Sequence, residues 1–551
     1  MSPRSMDLSG WIEGWAAQAP DKIALHFDGV DIRYADMAER IRRLARALKH
    51  GLGVGRGDRV AYLGLNRPEM LELVFACARL GAIFVPLNWR LAPPEHLYIL
   101  RDCGARVLFA EADFVAPSAA IAAALPELRT VGFDAPAMGW VGLDSLVAEA
   151  RGDDANPHVD LAAPVLLVYT SGTTGHPKGA LLTQEAVFWN AVNATHAHDL
   201  TSADHVLTTL PMFHVGGLNI QTLPALHAGA TVTLHRRFDP GAMLDAIAGR
   251  RPTLTLMVPA TMQATIRHPA FAATDISSLR LIMAGSSTIP EALIRAFHER
   301  GVPVGQVYGS TETAPVALYL RAEDARDRVG SAGRPAVHCA VRIVDDGGRD
   351  VPAGAPGEIL VKGPNLFLEY WGDPEATRTA LRDGWFHTGD IGHRDSEGFV
   401  WVDDRKKDVV ISGGENIYPA ELENVLADCP EIVEAGVVGR PDEKWGEIAV
   451  AVVVATPGGG VDESAVLALF DGRLARFKHP RDVVFVDALP RNAMGKILKY
   501  EIRQRLADDE ARARPVHTES SPPHPASARL GLRPSPSLRN PLPLKEGERE
   551  G

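Results

Sequence analysis

From about residue 36 to about residue 310 the chain alternates amphipathic helical stretches with short apolar runs, a pattern that few folds accommodate. Residues 36–50 put Ile41, Leu44, Ala45 and Leu48 on one helical face. Arg59 to Leu63 then reads as a strand, Glu69 to Leu80 as a helix, and Gly81 to Leu87 as a second strand. Such alternation predicts a layered α/β body with largely parallel sheets, whose ligands gather at the carboxyl ends of strands. Gly51-Leu52-Gly53-Val54-Gly55-Arg56-Gly57 has the glycines of a dinucleotide loop. Its order is wrong, however, because a helix precedes it and a strand follows, and the expectation is a connecting turn.

Within this frame the most informative run is Tyr169-Thr170-Ser171-Gly172-Thr173-Thr174-Gly175-His176-Pro177-Lys178-Gly179. Val165 to Tyr169 is an apolar strand candidate, and Thr183-Gln184-Glu185 opens a helix with Val187, Ala191 and Ala194 on its apolar face. Strand, glycine-rich loop and helix would cradle phosphates through exposed backbone N–H groups, hydroxyls and one lysine. The run is not a Walker A loop: Pro177 stands at the second glycine, and Gly179 replaces the magnesium-holding Ser/Thr.

Composition narrows the partners. The 551 residues call for two to four domains. The net charge of −12 argues against broad nucleic-acid binding, so any anion site must be built locally from a few cations. Cys77, Cys103, Cys339 and Cys429 are scattered without a C-x-x-C pair, which fits a reducing compartment. The first fifteen residues lack an apolar signal core, and no run reaches the ~18–20 apolar residues of a membrane span. The expected location is the cytoplasm. His196-Ala197-His198-Asp199 reads as an exposed polar turn rather than a metal site, and Gly142 to Leu146 as a capped helix start.

Further glycine-punctuated loops follow strand candidates. Leu281 to Ala284 leads into Gly285-Ser286-Ser287, and Val304 to Val307 leads into Tyr308-Gly309-Ser310-Thr311-Glu312. They offer an aromatic face for a base and a carboxylate for magnesium. Trp385 to Asp390 is followed by the charge cluster Asp403 to Asp408, which reads as a hinge or linker. Residues 409–506 form a small α+β unit, with helices at Ala420–Leu426 and Glu463–Leu469 and strands near Ala435–Val438 and Ile448–Val454. From about residue 514 the Pro-, Ser- and Arg-rich tail has too little apolar content to fold.

Six runs occur in the order and spacing of one family: YTSGTTGHPKG (169–179), PMFHVGG (211–217), YGSTE (308–312), TGD (388–390), DRKKDVVISGGENIYPAELE (404–423) and PRNAMGKILK (490–499). The chain resembles the acyl-adenylate-forming superfamily, in particular the AMP-forming acid–CoA ligases, from about residue 10 to residue 506. The resemblance implies an α/β fold with a large N-terminal domain of layered sheets and helices (1–404), a hinge (405–408), a small α+β lid (409–506) and a disordered tail (507–551). It implies ATP, Mg2+ and CoA as the groups bound besides the acid, and leaves room for a homodimer.

The same resemblance distributes roles. Thr170, Ser171, Gly172, Thr173, Thr174 and Lys178 hold the β- and γ-phosphates. Thr311 meets the α-phosphate, and Glu312, with Thr174, takes magnesium. Tyr308 stacks on adenine beside Gly285, Ser286, Ser287, Val307 and Gly309, while Asp390 and Arg405 hold the ribose. Lys496 bridges carboxylate and α-phosphate in the first half-reaction. His214 gates an acyl pocket of Val215, Gly216, Gly217, Met283, Val307, Pro315 and Val316. Lys407 is the hinge residue. Gly413 and Gly414 line the CoA tunnel, and Trp445 is either a CoA contact or, by preference, lid packing.

A ligase using CoA is the first expectation, because PDEKWGE (441–447) and SGGENIYP (412–419) are similar to ligase sequences and no carrier domain follows. The alternatives are a stand-alone enzyme loading a carrier protein and a long-chain fatty acid–CoA ligase. Where many long-chain and coumarate-type relatives have glycine before the YG pair, this chain has Val307, which should shorten or narrow the pocket. That favours a medium-chain or an aromatic, benzoate- or cinnamate-like (for example feruloyl) acid.

Overall fold

The protein was analysed as a computed structural model that describes residues 7–133, 139–170, 177–286, 289–412, 415–442, 444–456, 460–491 and 497–513. Residues 1–504 form one compact unit and 505–551 a second. The expected tail lies outside the described residues, apart from the end of the helix Lys499–Ala513.

Two large sheets make the body. One runs in the spatial order Glu369–Tyr370, Lys178–Thr183, Pro164–Thr170, Ile83–Leu87, Arg59–Leu63, Val107–Ala110, Arg129–Gly132 and Val141–Gly142. From Pro164–Thr170 through Val141–Gly142 its strands are parallel. The other has the parallel strands Ile23–Phe27, Thr231–Leu234, His205–Thr208, Leu254–Met257, Leu281–Ala284 and Val304–Tyr308 as its centre. Short antiparallel strands close both of its edges.

The helices between them are those the apolar spacing predicts. Pro68–Leu80 starts with proline, whose missing N–H costs nothing there, and stops at Gly81, whose φ of +71° a side chain would strain. Tyr34–Arg46 buries Ile41, Leu44 and Ala45, and Leu48 follows in the next, π-type turn. One apolar cluster runs from Val60, Phe84 and Val165 of the first sheet through Val74 and Phe75 to Val206, Val232 and Leu281 of the second. Burial of this kind, at ~25 cal/mol per Å² of apolar surface, is the main force holding the two layers together. The glycines at 51–57 form the connection into Arg59–Leu63, as expected.

A third sheet, built from Ala340–Val344, Gly357–Lys362, Trp385–Arg394, Leu381–Arg382 and Val400–Arg405, packs around Val341, Ile359, Val361 and Val400. Half of the charge cluster expected as a linker is therefore strand: Asp403, Asp404 and Arg405 complete Val400–Arg405, and Asp390 lies opposite Arg405 in register. The cross-strand partners, not the local charge density, decide the conformation there. Beyond it lies the small α+β domain. The strands Ile432–Asp442 and Gly446–Ala455 form a long hairpin, Val410–Ser412 and Asp482–Phe485 flank it, and the helix Pro419–Ala427 lies across it.

Two other expectations are corrected. His196 and His198 lie in the last turn of the helix Gln184–His198, not in an exposed turn. His198 is fully buried, with Nδ1 in a hydrogen bond to Ala194 O, and the chain leaves the helix only at Asp199, which is left-handed. Apolar neighbours Ala194 and Ala197 carry the helical period through this polar run. No helix among the described residues is long and apolar enough to cross a membrane.

The third sheet docks where Gly333 pairs with Val400. Gly333 has a φ of +88°, and a β-carbon there would lie 1.9 Å from Tyr319 O. Gly333→Ala should therefore cost about 2 kcal/mol or more. Gly354→Ala, with a φ of +82° but open space around it, should cost less. Thermal melts of the two variants check this; equal losses would mean that the close approach at Gly333 relaxes freely.

Candidate active site

The loop after Pro164–Thr170 is not followed directly by a helix. Lys178–Thr183 comes first, pairs antiparallel with Pro164–Thr170, and sets Thr170 opposite Lys178. Ala180, Leu181 and Leu182 are buried, so this apolar run adds a strand instead of extending the helix backwards. The helix start at Thr183 is as expected, its hydroxyl accepting from Ala186 N at 3.1 Å. The helix therefore starts beside Pro164, at the far end of this strand pair from Thr170 and Lys178. Ser171, Gly172, Thr173 and Thr174 lie outside the described residues, as do Ser287, Gly413, Gly414 and Lys496.

At the base of the hairpin Lys178 Nζ lies 3.3 Å from Asp373 Oδ2 and 5.6 Å from the centre of the Tyr370 ring. Tyr370 is brought here by Glu369–Tyr370, which pairs with Leu181 and Ala180 of the hairpin. Its hydroxyl donates to Glu312 Oε1 at 2.6 Å. Burial, and then the Glu312 carboxylate, push the Tyr370 pKa far above its usual value, so the phenol stays a donor. Glu312 itself is 9% exposed and has no cation within ion-pair distance among the described residues.

The second cluster lies at the carboxyl end of Val304–Tyr308. Tyr308 donates to Asp390 Oδ2 at 2.7 Å, and Arg405 Nε lies 3.2 Å from Asp390 Oδ1. Asp390 is the leading cause that raises the Arg405 pKa. Tyr308, Asp390 and Arg405, more than eighty residues apart in part, are thus joined by one hydrogen bond and one ion pair. Thr311 and Glu312 open a short 3-10 turn beyond it, both buried.

Residues expected to line the acid pocket lie near the ends of Leu281–Ala284 and Val304–Tyr308. His214 Nδ1 accepts from Gly216 N at 3.0 Å, and a β-carbon at Gly216 would stand 3.7 Å from Ser286 Oγ. One at Gly217 would stand 2.3 Å from Pro211 O, and one at Gly285 2.6 Å from Val307 O. Glycine at 217 lets the turn close on Pro211 and glycine at 285 lets the two strand ends approach, whereas a β-carbon at 216 would make only ordinary contact with Ser286. Val215, Met283, Val307 and Val316 are buried, and Pro315 follows Ala314 through a cis peptide.

Three buried asparagines that the sequence motifs did not single out, Asn190, Asn219 and Asn365, hold this segment, and a fourth, Asn193, holds His338. Asn190 Oδ1 accepts from Val316 N at 2.9 Å, and Asn219 Nδ2 donates to Ala314 O at 3.1 Å. Asn365 Nδ2 donates to Thr313 O at 2.6 Å and Val316 O at 3.2 Å, while Asn193 Oδ1 accepts from His338 N at 3.1 Å. Tyr370 and Asp373 were also missed. Their only sequence signal is the helix-start run Asp373-Pro374-Glu375, where Asp373 Oδ1 accepts from Ala376 N at 2.9 Å.

The described contacts do not join Lys407 or Trp445 to these clusters. Lys407 is exposed at a turn, its carbonyl accepting from Arg503 at 3.5 Å. Trp445 is half-buried with Lys444 Nζ 4.8 Å and Arg481 Cζ 4.4 Å from its ring centre, outside the apolar core of the small domain. The ring thus packs on charged side chains of the small domain rather than in its apolar cluster.

The AMP-binding enzyme family matches residues 12–371, and its C-terminal domain matches residues 421–496. The chain belongs to the AMP-binding enzymes. It is 55% identical over 504 residues to an indoleacetate–CoA ligase of Aromatoleum aromaticum, an alignment covering 91% of this chain and 98% of that one. It is 43% identical to a feruloyl-CoA synthase of an Amycolatopsis species, covering 91% of this chain and all of the other. Among solved structures, the o-succinylbenzoate CoA synthetase of Bacillus subtilis with ATP and magnesium superposes with a TM-score of 0.78 at 34% identity, covering 89% of this chain and 98% of that one. The large domain and small C-terminal domain of this AMP-binding enzyme are those of the family.

Burial lowers the His214 pKa to about 4. An unfolded histidine takes its proton near 6.5, so the stability tied to this ring is complete above about pH 6.5 and is lost as pH falls towards 4. His214→Asn keeps an acceptor for Gly216 N without a titrating group. Its melting temperature should fall less than the parent's between about pH 7 and about pH 5; an identical fall would show that His214 does not titrate with folding.

Proposed function

We propose that this chain joins an aromatic carboxylic acid to the thiol of coenzyme A, using ATP. It is an AMP-forming acid–CoA ligase, and the observation that carries its chemistry is the meeting of the Tyr308–Asp390–Arg405 group with Glu312, Tyr370 and Lys178 at strand ends. In the first half-reaction the carboxylate attacks the α-phosphorus of ATP, forming acyl-AMP and releasing pyrophosphate. In the second, the CoA thiol attacks the acyl carbon and AMP leaves.

A carboxylic acid with a pKa of about 4–5 is already ionised at neutral pH and needs no general base. The difficulty is the approach of two anions, which preorganised cations and donors relieve. Lys178 and Thr170, with the loop between them, suit the β- and γ-phosphates, and Thr311 suits the α-phosphate. Asp390 and Arg405 present paired acceptor and donor groups for the ribose hydroxyls, and the Tyr308 ring and Gly285-Ser286 suit the adenine. Glu312 fits a magnesium ion, being a buried carboxylate with one oxygen bonded to a phenol and no cation within ion-pair distance among the described residues. When bound, that ion would draw charge from the phosphate oxygens.

Lys496 is assigned to the bridge between carboxylate and α-phosphate on its motif alone. Its chain neighbour Lys499 ties the same segment down: Lys499 Nζ lies 3.0 Å from Glu423 Oε1 and 3.7 Å from Asp404 Oδ2. Asp404 Oδ2 also accepts from Ala420 N at 3.0 Å. These contacts span the hinge assigned to residues 405–408 and Lys407, between a large domain at 1–404 and a lid at 409–506. Gly413, Gly414 and Trp445 are assigned to the CoA side, where Arg481 and Lys444 beside the ring suit a phosphorylated ligand.

The relatives named above act on indoleacetate and ferulate, which favours an aromatic acid over the medium-chain acids the sequence leaves open. Val307, buried against Gly285, supports a short, closed floor. Pyrophosphate release and thioester mass over a panel of aryl-acetic, cinnamic, medium-chain and long-chain acids, with CoA or a carrier protein as acceptor, test this. The aryl acids with CoA should give the highest kcat/KM; preference for a long-chain acid or a carrier protein would overturn the reading. Lys496→Ala should lower adenylation by about 10²–10³ while leaving thioester formation from supplied acyl-AMP nearly intact. Equal loss of both half-reactions would remove Lys496 from its assigned role.

A further inference from the structure

A short strap of chain, residues 367–373, joins the residue assigned to magnesium to the lysine assigned to the phosphates. Its backbone is fastened at both ends. Phe367 N donates to Glu312 O at 2.8 Å, while Leu368 N donates to Leu181 O at 2.8 Å and Trp371 N to Gly179 O at 2.7 Å. The strap thus runs from the 3-10 turn that carries Glu312 to the strand that opens with Lys178. Tyr370 lies within it and touches both side chains. Its hydroxyl donates to Glu312 Oε1 at 2.6 Å, and Lys178 Nζ stands 5.6 Å from its ring centre.

Packing explains the ring but not the hydroxyl. The Phe367 ring lies 4.8 Å from that of Tyr370, and phenylalanine at 370 would fill the same place. Among the described residues the hydroxyl bonds to Glu312 alone, and Glu312 Oε2 has no hydrogen-bond or ion-pair partner. A buried carboxylate left half-satisfied is costly unless a further group completes it. The last torsion of a glutamate is broad and roughly two-fold, so one short bond to Oε1 selects an orientation and leaves Oε2 for a cation. Magnesium demands near-ideal geometry and uses only one or two carboxylates, so the orientation of that single group matters.

We propose that Tyr370 is a positioning residue for the adenylation step, its hydroxyl orienting the Glu312 carboxylate to receive magnesium. This rests on the reading of the chain as an AMP-forming ligase and adds to it the residue that sets the metal side. Tyr370 touches neither nucleotide nor ion in this assignment and acts through Glu312. Hydrogen-bond partners of metal ligands typically contribute about 10–100-fold to metal affinity, which sets the size of the expected effect.

The test is calorimetry on the full-length protein with the acid omitted, so that no adenylate forms, comparing ATP in excess magnesium with ATP in EDTA. The ratio of the two dissociation constants reads the contribution of the metal and cancels any general change in nucleotide binding. Tyr370→Phe keeps the ring against Phe367 and Lys178 and removes only the hydroxyl. In it the advantage of magnesium should shrink by about tenfold or more relative to the parent, with metal-free ATP bound as before. In a Glu312→Gln background the same substitution should change the ratio by less than about twofold, because the hydroxyl acts through that carboxylate. A ratio that Tyr370→Phe leaves unchanged, or lowers equally in both backgrounds, overturns the inference; a merely structural role would weaken both forms of ATP together. If the parent binds ATP in neither form, the ligase reading beneath it fails, whereas ATP binding with an unchanged ratio in Tyr370→Phe removes only the role of Tyr370.

Discussion

The site depends on the way the chain from Tyr308 to Val316 folds back on itself. Gly309 passes so close to Pro315 that a β-carbon would stand 1.7 Å from its carbonyl oxygen. That closure leaves backbone groups of a buried loop without strand or helix partners, and asparagine side chains from three other parts of the chain supply them. Asparagine suits this work because one amide both donates and accepts, and Asn190 does so, accepting from Val316 N and donating to Asn219 O at 2.7 Å. With the loop fixed, Val307, Thr311, Glu312 and Pro315 are positioned by a single closure and cannot be moved apart independently.

What the sequence made legible follows from period and punctuation. The helices Pro68–Leu80 and Gln184–His198 and the strands Leu281–Ala284 and Val304–Tyr308 come from local apolar spacing, and their boundaries hold within a few residues. The grouping of Tyr308 with Asp390 and Arg405 could be expected only through the family motifs, since no local pattern links residues this far apart. Tyr370, Asp373 and the buried asparagines stayed hidden because their roles arise from non-local pairing: Tyr370 reaches Glu312 only because its strand adds to the edge of the hairpin. His198 fails for a related reason: residue type suggested exposure, and its place on the buried face of a helix reversed that.

The ion-pair contacts around Asp404 show how the same chemistry serves architecture. Asp404 accepts from the first turn of the helix Pro419–Ala427 and lies within reach of Lys499. Arg503 adds a close pair with Asp408 in the segment between them. A carboxylate this buried would be costly alone, and burial does raise its pKa, opposed first by Lys499. The charges are retained where the small domain meets the strand that also carries Arg405, so one hairpin end serves both a domain junction and the nucleotide-side cluster.

The strand that follows the glycine-rich loop has a consequence for charge. The helix that follows starts at the far end of the strand pair, and the charge beside Thr170 is Lys178, which is already paired with Asp373. On the proposed reading, a polyphosphate arriving there would take Lys178 from a carboxylate by exchange of partners. Because the pair is partly exposed, the exchange forfeits only about 0–1 kcal/mol. When the phosphates depart, the carboxylate is waiting. The grip is thus built to be reversible, which suits a group that must be held during one step and discarded before the next.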